Sequence, residues 1–220
     1  MQRALIIGAS GGIGAALASA LAARGVDVLG LSRSVDGLDV TDQASVQGVL
    51  GSLDGPFDLI VMASGILAPH GESPEKSLRS IKQASLERVM AVNAIGPALV
   101  LAEVPRLLPR DRRSVVAVLT ARVGSIGDNQ LGGWYAYRAS KAAANQIVHT
   151  AAIEIGRTRR EAVVVALHPG TVETAFTQNY TGRDKASPAE AAQNLLRVMD
   201  GLETAQSGLF FDWAGKPVPW

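Results

Sequence analysis

The chain of 220 residues is long enough for one domain with a substantial core. Apolar residues make up 47% of it, charged residues 19%, and the net charge is +1, so the charge balance gives no reason to expect nucleic acid or an anionic membrane as a partner. The absence of cysteine excludes disulfides and thiolate nucleophiles. The first apolar run, Ala4–Ile7, is too short for a signal peptide, and we expect a single domain over residues 1–220 of a soluble, cytoplasmic protein.

Short apolar segments alternate with longer alanine-rich ones, which is typical of a parallel sheet covered by helices. The predicted strands are mostly apolar throughout, as strands buried on both faces are, and they are Arg3–Ile7, Val26–Leu31, Leu59–Met62, Ser114–Thr120, Ala162–Leu167 and Leu209–Phe211. The predicted helices are Ile13–Arg24, Ser45–Leu50, Leu86–Leu107, Trp134–Arg157 and Pro188–Met199. The pattern predicts an α/β fold.

Prolines give more detail on two of these helices. Pro97 and Pro105 interrupt the helix over Leu86–Leu107, where they predict a kink or an early end. The last helix opens with Ser187 as a cap and Pro188 in the first turn.

The first predicted strand runs into the sequence GASGGIG, with glycines at positions 8, 12 and 14, and then into the first helix. Glycines between a first strand and a first helix let the backbone turn tightly and approach a pyrophosphate, which the N–H groups of the helix N-terminus then face. The position in an alternating α/β chain therefore predicts a nucleotide site rather than a plain turn.

The end of the second strand indicates which nucleotide. An acid at this point would bind the ribose hydroxyls, but here Ser32 stands in its place and Arg33 follows. A guanidinium can pair with the 2′-phosphate of NADP, which predicts NADP(H) as the preferred cofactor with NAD(H) possible. Arg33 as a solvated loop residue is the alternative. Asp39 could bind the adenine amino group or cap the helix that starts near Asp42.

Tyr137 and Lys141 lie four positions apart in the sequence YRASK, near the start of a predicted helix. This spacing places both side chains on one helix face, one turn apart. A cation beside a phenol favours the phenolate, so Tyr137 could exchange a proton with a substrate near neutral pH. The pair is interpreted as an acid–base device.

These motifs together resemble the short-chain dehydrogenase/reductase family. GASGGIG is similar to its cofactor loop, YRASK to its Tyr-x-x-x-Lys motif and HPGTVET to its Pro-Gly segment; DVTD and the asparagine of VNAIG also fall where the family has an adenine-site aspartate and an active-site asparagine. The sequences RVGSIGDNQLGGWYAYRASKAAANQ and DWAGKPVPW look most like the C-factor-like branch, whose members resemble carbonyl reductases.

The resemblance implies a single Rossmann-type doubly wound parallel sheet with helices on both faces, and hydride transfer between a nicotinamide and a carbonyl or alcohol. Tyr137 would be the general acid or base, Lys141 would lower its pKa and hold the nicotinamide ribose, and Asn93 would keep a water in a proton relay. The implied cofactor-binding residues are Gly8, Ser10, Gly11, Gly12, Ile13, Gly14, Ser32, Arg33, Asp39, Val40, Ala63, Ser64, Gly65, Asn93, Tyr137, Lys141, Pro169, Gly170, Val172 and Thr174.

The chain departs from the family where a serine normally binds the substrate oxygen. Aligning TARVG through Gly124 puts Ala121 in that position, and alanine has no hydrogen-bond donor. Two hydroxyls are close, those of Thr120 and Ser125, and strand alternation weighs against Thr120 because its side chain should point away from that of Ala121. We therefore predict Ser125 as the catalytic hydroxyl, with a hydrogen bond inside its own loop as the alternative.

Two further segments differ from the family pattern. The sequence MASG, residues 62–65, stands where the family has Asn-Asn-Ala-Gly, and only Gly65 is retained. The close backbone approach at this glycine is therefore expected, but the contacts of the asparagine side chains are lost. The sequence AFTQNYTGRDKAS after Thr174 is short for a segment that covers the substrate, which indicates an open pocket.

The leading hypothesis is an NADPH-dependent carbonyl reductase that acts on a small-molecule carbonyl or alcohol substrate. A methyltransferase is disfavoured because Ser32 is not an acid. The alternative is a nucleotide-binding regulatory or signalling protein with weak or lost catalysis, which Ala121 favours. The three histidines show no metal-ligand spacing, so no metal site is expected. The resemblance also implies a homo-oligomer, either a dimer or a tetramer.

Overall fold

A computed structural model describes residues 1–177 and 184–220 of the chain. Six strands form one sheet in the order β2-β1-β3-β4-β5-β6, and every pairing is parallel. The strands are β1 (Arg3–Ile7), β2 (Asp27–Leu31), β3 (Leu59–Met62), β4 (Ser114–Leu119), β5 (Ala162–His168) and β6 (Phe210–Asp212). All six agree with the predicted strands to within one residue at either end.

Seven α-helices connect and cover the strands within the described residues. They are α1 (Gly12–Ala23), α2 (Arg33–Asp36), α3 (Gln43–Gly51), α4 (Gln83–Met90), α5 (Gly96–Leu107), α6 (Tyr135–Gly156) and α7 (Pro188–Gly201). The sequence did not predict the short helix α2. The last helix opens as predicted, because the Ser187 hydroxyl accepts a hydrogen bond from the Glu190 N–H and Pro188 occupies the first turn.

The helices divide between the two faces of the sheet. On one face, side chains of α3, α5 and α6 such as Leu50, Val104 and Val148 join one apolar core. On the other face, α1 and α7 contribute residues such as Leu17 and Leu195 to a second core. This arrangement is the predicted doubly wound α/β sheet, and the alternate residues of each buried strand supply both cores.

The predicted third helix is longer than expected and changes its geometry in the middle. It runs from Gln83 to Leu107, with a π-helical turn over Ala91–Ile95 between α4 and α5. Pro97 follows this turn and has no N–H for the helical ladder, so the widened turn relieves the contact between the proline ring and the preceding carbonyls. Pro105 lies inside α5, which ends two residues later.

This composite helix is also long and apolar enough to meet a simple length-and-hydropathy criterion for a membrane span. Half of its most apolar segment is buried inside the protein, a property that it shares with core helices of soluble proteins.

The strand register brings the carboxyl ends of the central strands to one line. Ile7, the last residue of β1, pairs with Leu31 on one side and Met62 on the other, and Met62 pairs with Val118. The chain order reverses at β1, so the loops after β1 and β3 leave the sheet on opposite faces and open a crevice, the usual ligand position in such sheets.

Candidate active site

The glycine loop lies at the end of β1, and three of its glycines occupy positions where a Cβ atom would overlap a neighbouring atom. Gly8 has a φ of +89°, and a Cβ atom there would lie 2.8 Å from the Ser64 backbone nitrogen. A Cβ atom on Gly14 would lie 2.2 Å from the Gly8 carbonyl oxygen, and one on Gly12 would lie 2.7 Å from Thr174 Cγ2. The loop therefore brings together residues that follow β1, β3 and β5 in the chain.

Backbone hydrogen bonds hold this loop against the second strand. The N–H groups of Gly8 and Ala9 both donate to the Leu31 carbonyl, at 2.8 and 3.1 Å, and the Gly11 N–H donates to the Gly8 carbonyl. Ser10 and Ile13 lie in the loop and the first turn of α1, whose N-terminus is free to face an anion.

The helix that follows β2, α2, contains an acid that the sequence analysis missed, Asp36. Ser32 is buried and caps α2, and its N–H and hydroxyl contact Asp36 Oδ2 at 2.7 and 3.3 Å. Arg33 is exposed, and among the described residues none forms an ion pair with it. Arg33 thus shares its short helix with a carboxylate, that of Asp36.

Asp39 does not cap the third helix, which was one of its two predicted roles. Asp42 caps α3 by accepting hydrogen bonds from the N–H groups of Ala44 and Ser45. Asp39 instead accepts from the N–H and hydroxyl of Thr41, and these bonds lower the pKa of its carboxyl group.

Asn93 lies on the π-helical turn and is fully buried. Its Oδ1 accepts from the Ile66 N–H at 2.9 Å, and its Nδ2 donates to the Ile66 carbonyl at 2.8 Å and to Ser140 Oγ at 3.0 Å. The side chain therefore fixes the loop after β3 to α6. Gly65 directly precedes Ile66, and a Cβ atom on Gly65 would lie 3.3 Å from Asn93 Oδ1 and 3.5 Å from Lys141 Nζ.

Tyr137 and Lys141 both lie on the buried face of α6, with exposed fractions of 7% and 3%. Lys141 Nζ donates to the Leu119 carbonyl at 2.9 Å and lies 5.8 Å from the centroid of the Tyr137 ring. Burial lowers the pKa of Lys141 to about 8. Tyr137 is in the first turn of α6, where the positive end of the helix dipole also favours an anion.

Apolar and aromatic groups enclose the phenol. The Tyr137 ring contacts Trp134 and Phe176, with centroid distances of 6.1 and 5.8 Å, and it shares a cluster with Val89 and Ala121. Ala121 therefore stands beside Tyr137, where the family alignment placed the missing serine.

The two candidate replacement hydroxyls are both buried. Ser125 Oγ accepts from the Asp128 N–H at 3.1 Å, which is the bond inside its own loop considered above, and its own O–H can still donate. Thr120 Oγ1 forms no hydrogen bond with the described part of the chain. The turn before Ser125 packs on the catalytic helix, because a Cβ atom on Gly124 would lie 2.7 Å from Lys141 Cβ.

The Pro-Gly segment follows β5 and passes in front of the sheet. Gly170 has a φ of +81°, and a Cβ atom there would lie 3.1 Å from Trp213 Cδ1. Val172 is buried and pairs with Ala186 through an isolated bridge. Pro169 is half-buried at the start of the segment. Of the expected lid after Thr174, residues 178–183 lie outside the described residues.

The remaining predicted cofactor contacts lie around the same crevice. Val40 packs against Gly96 at the start of α5, and Ala63 and Ser64 form the backbone that faces Gly8. In residues 1–177 and 184–220, no group of three or more His, Asp or Glu side chains is placed to hold a metal ion.

Sequence reasoning missed two side chains that fix the start of α6. Arg138 donates to the carbonyls of Gly133 and Val123, and burial lowers the pKa of its guanidinium. Glu75, from the loop after β3, accepts from the Ala136 N–H. Glu75 acts on a backbone group 61 residues away, so no local motif reveals it, and Arg138 binds carbonyls in loops with no regular spacing.

Comparison with known proteins places this arrangement in a family. The family model described as enoyl-(acyl carrier protein) reductase matches residues 31–211. C-signal of Myxococcus xanthus is 36% identical over 76% of this chain and 94% of its own length. A 1-hydroxy-2-glutathionyl-2-methyl-3-butene dehydrogenase of Rhodococcus sp. (strain AD45) is 30% identical over the full length of both proteins.

A solved structure agrees with these sequence matches. A short-chain dehydrogenase/reductase from Burkholderia multivorans with bound NADP superposes with a TM-score of 0.85 over 100% of this chain and 99% of the other, at 27% identity. The chain is therefore an oxidoreductase of the short-chain dehydrogenase/reductase family.

Proposed function

We propose that this protein is an NADPH-dependent carbonyl reductase that uses Tyr137 as its general acid. The observation that carries the proposal is the position of Tyr137 and Lys141, one turn apart and buried on α6, beside Gly65 and the glycine loop. A buried phenol and ammonium at the carboxyl edge of a doubly wound sheet stand where a substrate and a dinucleotide would meet.

The residues present fit a nicotinamide dinucleotide. Backbone contacts leave no room for a side chain at Gly8 and Gly14, as a loop that must approach a pyrophosphate requires. A Cβ atom on Gly65 would lie 3.5 Å from Lys141 Nζ, so glycine at this position keeps a side chain away from the ammonium that would bind the ribose. When bound, the reduced nicotinamide supplies the hydride that adds to the carbonyl carbon of the substrate.

Tyr137 supplies the proton of the same reaction. As the carbonyl carbon gains the hydride, its oxygen takes the phenolic proton, and the product is an alcohol. The Lys141 ammonium and the N-terminus of α6 both stabilise the phenolate that remains.

Reprotonation of Tyr137 requires a path for a proton from solvent. The Asn93 side chain is engaged by Ile66 and Ser140, which leaves its backbone carbonyl for a relay water. The residue four positions later is Pro97, which has no N–H to bind that carbonyl in the helical ladder. We assign the relay position to this carbonyl.

Ser125 is the proposed donor to the substrate oxygen. Its hydroxyl accepts one bond from the Asp128 N–H, and this bond holds the oxygen in place while the proton remains available. An ion pair between Arg122 and Asp128 at 2.5 Å further restrains the loop, and it lowers the pKa of the Asp128 carboxyl group.

The preference for NADPH rests on Arg33. Its exposed guanidinium, without an ion-pair partner in the described part of the chain, is available to a 2′-phosphate. Asp36 opposes this preference through its negative charge, so we expect NADH to remain a usable but weaker cofactor.

The test is NADPH oxidation over a panel of ketones, aldehydes and quinones, with NADH in parallel and with the variant Tyr137→Phe. We expect turnover that favours NADPH and falls by a factor of about 10² to 10⁴ in the variant. Tyr135→Phe is the matched control, since it removes the same hydroxyl two residues earlier from a half-buried side chain. Equal activity of the Tyr137 variant and the wild type would exclude the acid role.

A second candidate is a signalling or regulatory role that uses the nucleotide site without efficient catalysis. Ala121 favours it, because the expected hydroxyl beside Tyr137 is replaced by a methyl group. The resemblance to a relative named C-signal also supports it. Tight NADPH binding without turnover of any substrate on the panel is the result that this candidate predicts.

We also propose that the protein works in the cytoplasm as a homo-oligomer, without nucleic acid or membrane partners. Exposed apolar side chains on the outer helices, Ile95 at 49% and Ile153 at 54%, support a contact between copies. Sedimentation equilibrium of the purified chain tests this, and a monomer at micromolar concentration would contradict it.

A further inference from the structure

Glu75 is a buried acid that the proposed chemistry does not use. It lies between β3 and α4, in the segment of residues 63–82, and is 7% exposed. Its carboxylate accepts from the Ala136 N–H at 3.2 Å, and its backbone carbonyl accepts from the Trp134 N–H at 2.5 Å. One residue thus binds the backbone on both sides of Tyr135, directly before Tyr137.

These two bonds serve the helix end that carries the catalytic phenol. The first N–H groups of a helix have no partner within the helix, and an indole has no acceptor with which Trp134 could bind them. Trp134 has a left-handed backbone, with φ at 56° and ψ at 44°, and its ring meets the Tyr137 ring edge-on. The cap of α6 therefore comes from Glu75, which is 61 residues away in the sequence.

The loop that carries Glu75 is anchored at two other points. Ile66, near its start, exchanges two hydrogen bonds with the Asn93 side chain, and Glu72 accepts bonds from Lys82 and Ser85 near its end. These anchors fix the position of Glu75 relative to the cofactor side of the crevice. Because Glu75 binds the start of α6, its bonds also fix the position of that helix end relative to the cofactor side.

Packing alone does not set the distance between this loop and α6. A cavity of about 600 Å³ lies between the loop and α4 and reaches the start of α6, and Leu67, Val89 and Ala136 are among the residues that line it. Where side chains do not fill the gap, directional hydrogen bonds determine the spacing.

We propose that Glu75 is a positioning residue that holds Tyr137 in its proton-transfer position through the backbone of Trp134 and Ala136. This inference rests on the proposed reductase function. The positioning role depends on the length of the Glu75 side chain, which must place an acceptor at the Ala136 N–H. It does not depend on the negative charge of the carboxylate.

Two substitutions separate reach from charge. Glu75→Gln keeps the length and an acceptor oxygen but loses the charge, whereas Glu75→Asp keeps the charge and withdraws the acceptor by one methylene. We expect Glu75→Gln to retain at least about half of the wild-type kcat and Glu75→Asp to lose about tenfold or more, because small displacements of an acid cost large factors in rate. The Kd for NADPH, measured by quenching of tryptophan fluorescence, should change by less than about twofold in both variants.

Glu87→Asp is the matched control, because it makes the same shortening in an exposed glutamate on α4 that accepts from Gln83 and has no hydrogen bond to α6 or to the Glu75 loop among those of the described residues. It should leave kcat unchanged. Circular dichroism melting, together with NADPH-binding stoichiometry, gives the folded fraction to which each kcat is referred. Equal kcat in Glu75→Asp and wild type, or a parallel loss in Glu75→Gln, would overturn the positioning role. A wild type that binds NADPH but turns over nothing would refute the reductase function instead.

Discussion

The two halves of the crevice are built by different means. On the cofactor side, the backbone approaches itself so closely that Gly8 and Gly14 have no room for a Cβ atom, and the Thr174 side chain fills that space at Gly12. On the substrate side, side chains such as Glu75 and Arg138 reach backbone groups of other segments and hold the catalytic helix by hydrogen bonds. A substitution should therefore act through steric overlap on the first side and through lost alignment on the second.

The largest effect is expected from Gly14→Ala on the cofactor side. The new Cβ atom would lie 2.2 Å from the Gly8 carbonyl oxygen. Neither atom can rotate away, because the Cβ position is fixed by the backbone of residue 14 and the oxygen is itself a backbone atom. We expect a loss of about 4 kcal/mol or more in the free energy of unfolding, together with loss of NADPH binding. Urea unfolding and fluorescence titration measure the two effects.

Gly48→Ala is the matched control for this variant. Gly48 lies in α3 with no atom within 4 Å of its Cβ position, so alanine should stabilise the protein by up to about 1 kcal/mol. If Gly14→Ala behaved like Gly48→Ala, steric packing would not be the reason for glycine in the loop.

Lys141→Met tests the cost of the buried cation at the junction of the two halves. Burial holds the pKa of Lys141 at about 8, below its ordinary value of 10.5, so the folded state binds this proton less tightly than the unfolded state does. The cost to folding is fully present below pH 8 and disappears as the pH rises from 8 to 10.5. We expect the variant to be more stable at pH 7, by at most about 3 kcal/mol, and inactive.

Denaturant unfolding of both proteins at pH 7 and pH 10 measures this effect. The advantage of Lys141→Met should shrink at pH 10, because the folded lysine is then already neutral and most of the cost of burying its charge has disappeared. A variant that is less stable than wild type at pH 7 would show that the bond from Nζ to the Leu119 carbonyl outweighs the desolvation of the ammonium.

The same division explains how much could be predicted from the sequence. The strands were predicted to within one residue because buried parallel strands are continuous apolar runs, and the glycine loop was predicted because close backbone contact admits one residue type. The spacing of Tyr137 and Lys141 also predicted that they share one helix face, which the structure confirms, and this face is buried.

What the sequence could not predict depends on contacts between distant segments. Glu75 is indistinguishable from any loop glutamate until the fold brings it to Ala136. The π-helical turn around Asn93 follows from Pro97 only in part, since a kink or an early end would satisfy the same proline. Asp36 was missed because α2 is a single turn of four residues with no periodic pattern.

Arg33→Ser tests the cofactor side through a smaller effect, a change in the affinity for NADPH. Loss of a charge-assisted bond to the 2′-phosphate should weaken NADPH binding by about ten- to a hundredfold and leave NADH binding unchanged. Asp36→Asn should shift the Kd in the opposite direction, because it keeps an acceptor for Ser32 and removes a negative charge. Calorimetric titration at one fixed salt concentration gives both constants.

Arg197→Ser is the control for the loss of an exposed positive charge, since Arg197 lies on α7 and bonds only Asn194 among the described side chains. An equal loss of NADPH affinity in this variant would mean that long-range charge, rather than a contact at Arg33, attracts the cofactor.

The smallest effect is expected from Ser125→Ala on the substrate side. If Ser125 donates to the substrate oxygen, its loss should lower kcat by about tenfold, the value of one hydrogen bond that forms as charge develops. The Asp128 N–H also loses its acceptor, so part of any loss could come from a disordered loop. Steady-state kinetics with melting curves separates the two causes.

The double variant Ser125→Ala with Ala121→Ser decides between them. Ala121 stands beside Tyr137, so a serine there could supply the missing donor but could not restore the acceptor for the Asp128 N–H. Recovery of kcat without recovery of the melting temperature would therefore identify donation to the substrate as the role of Ser125. No recovery of kcat would assign Ser125 to its own loop, and the substrate side would then rely on Tyr137 alone to polarise the carbonyl.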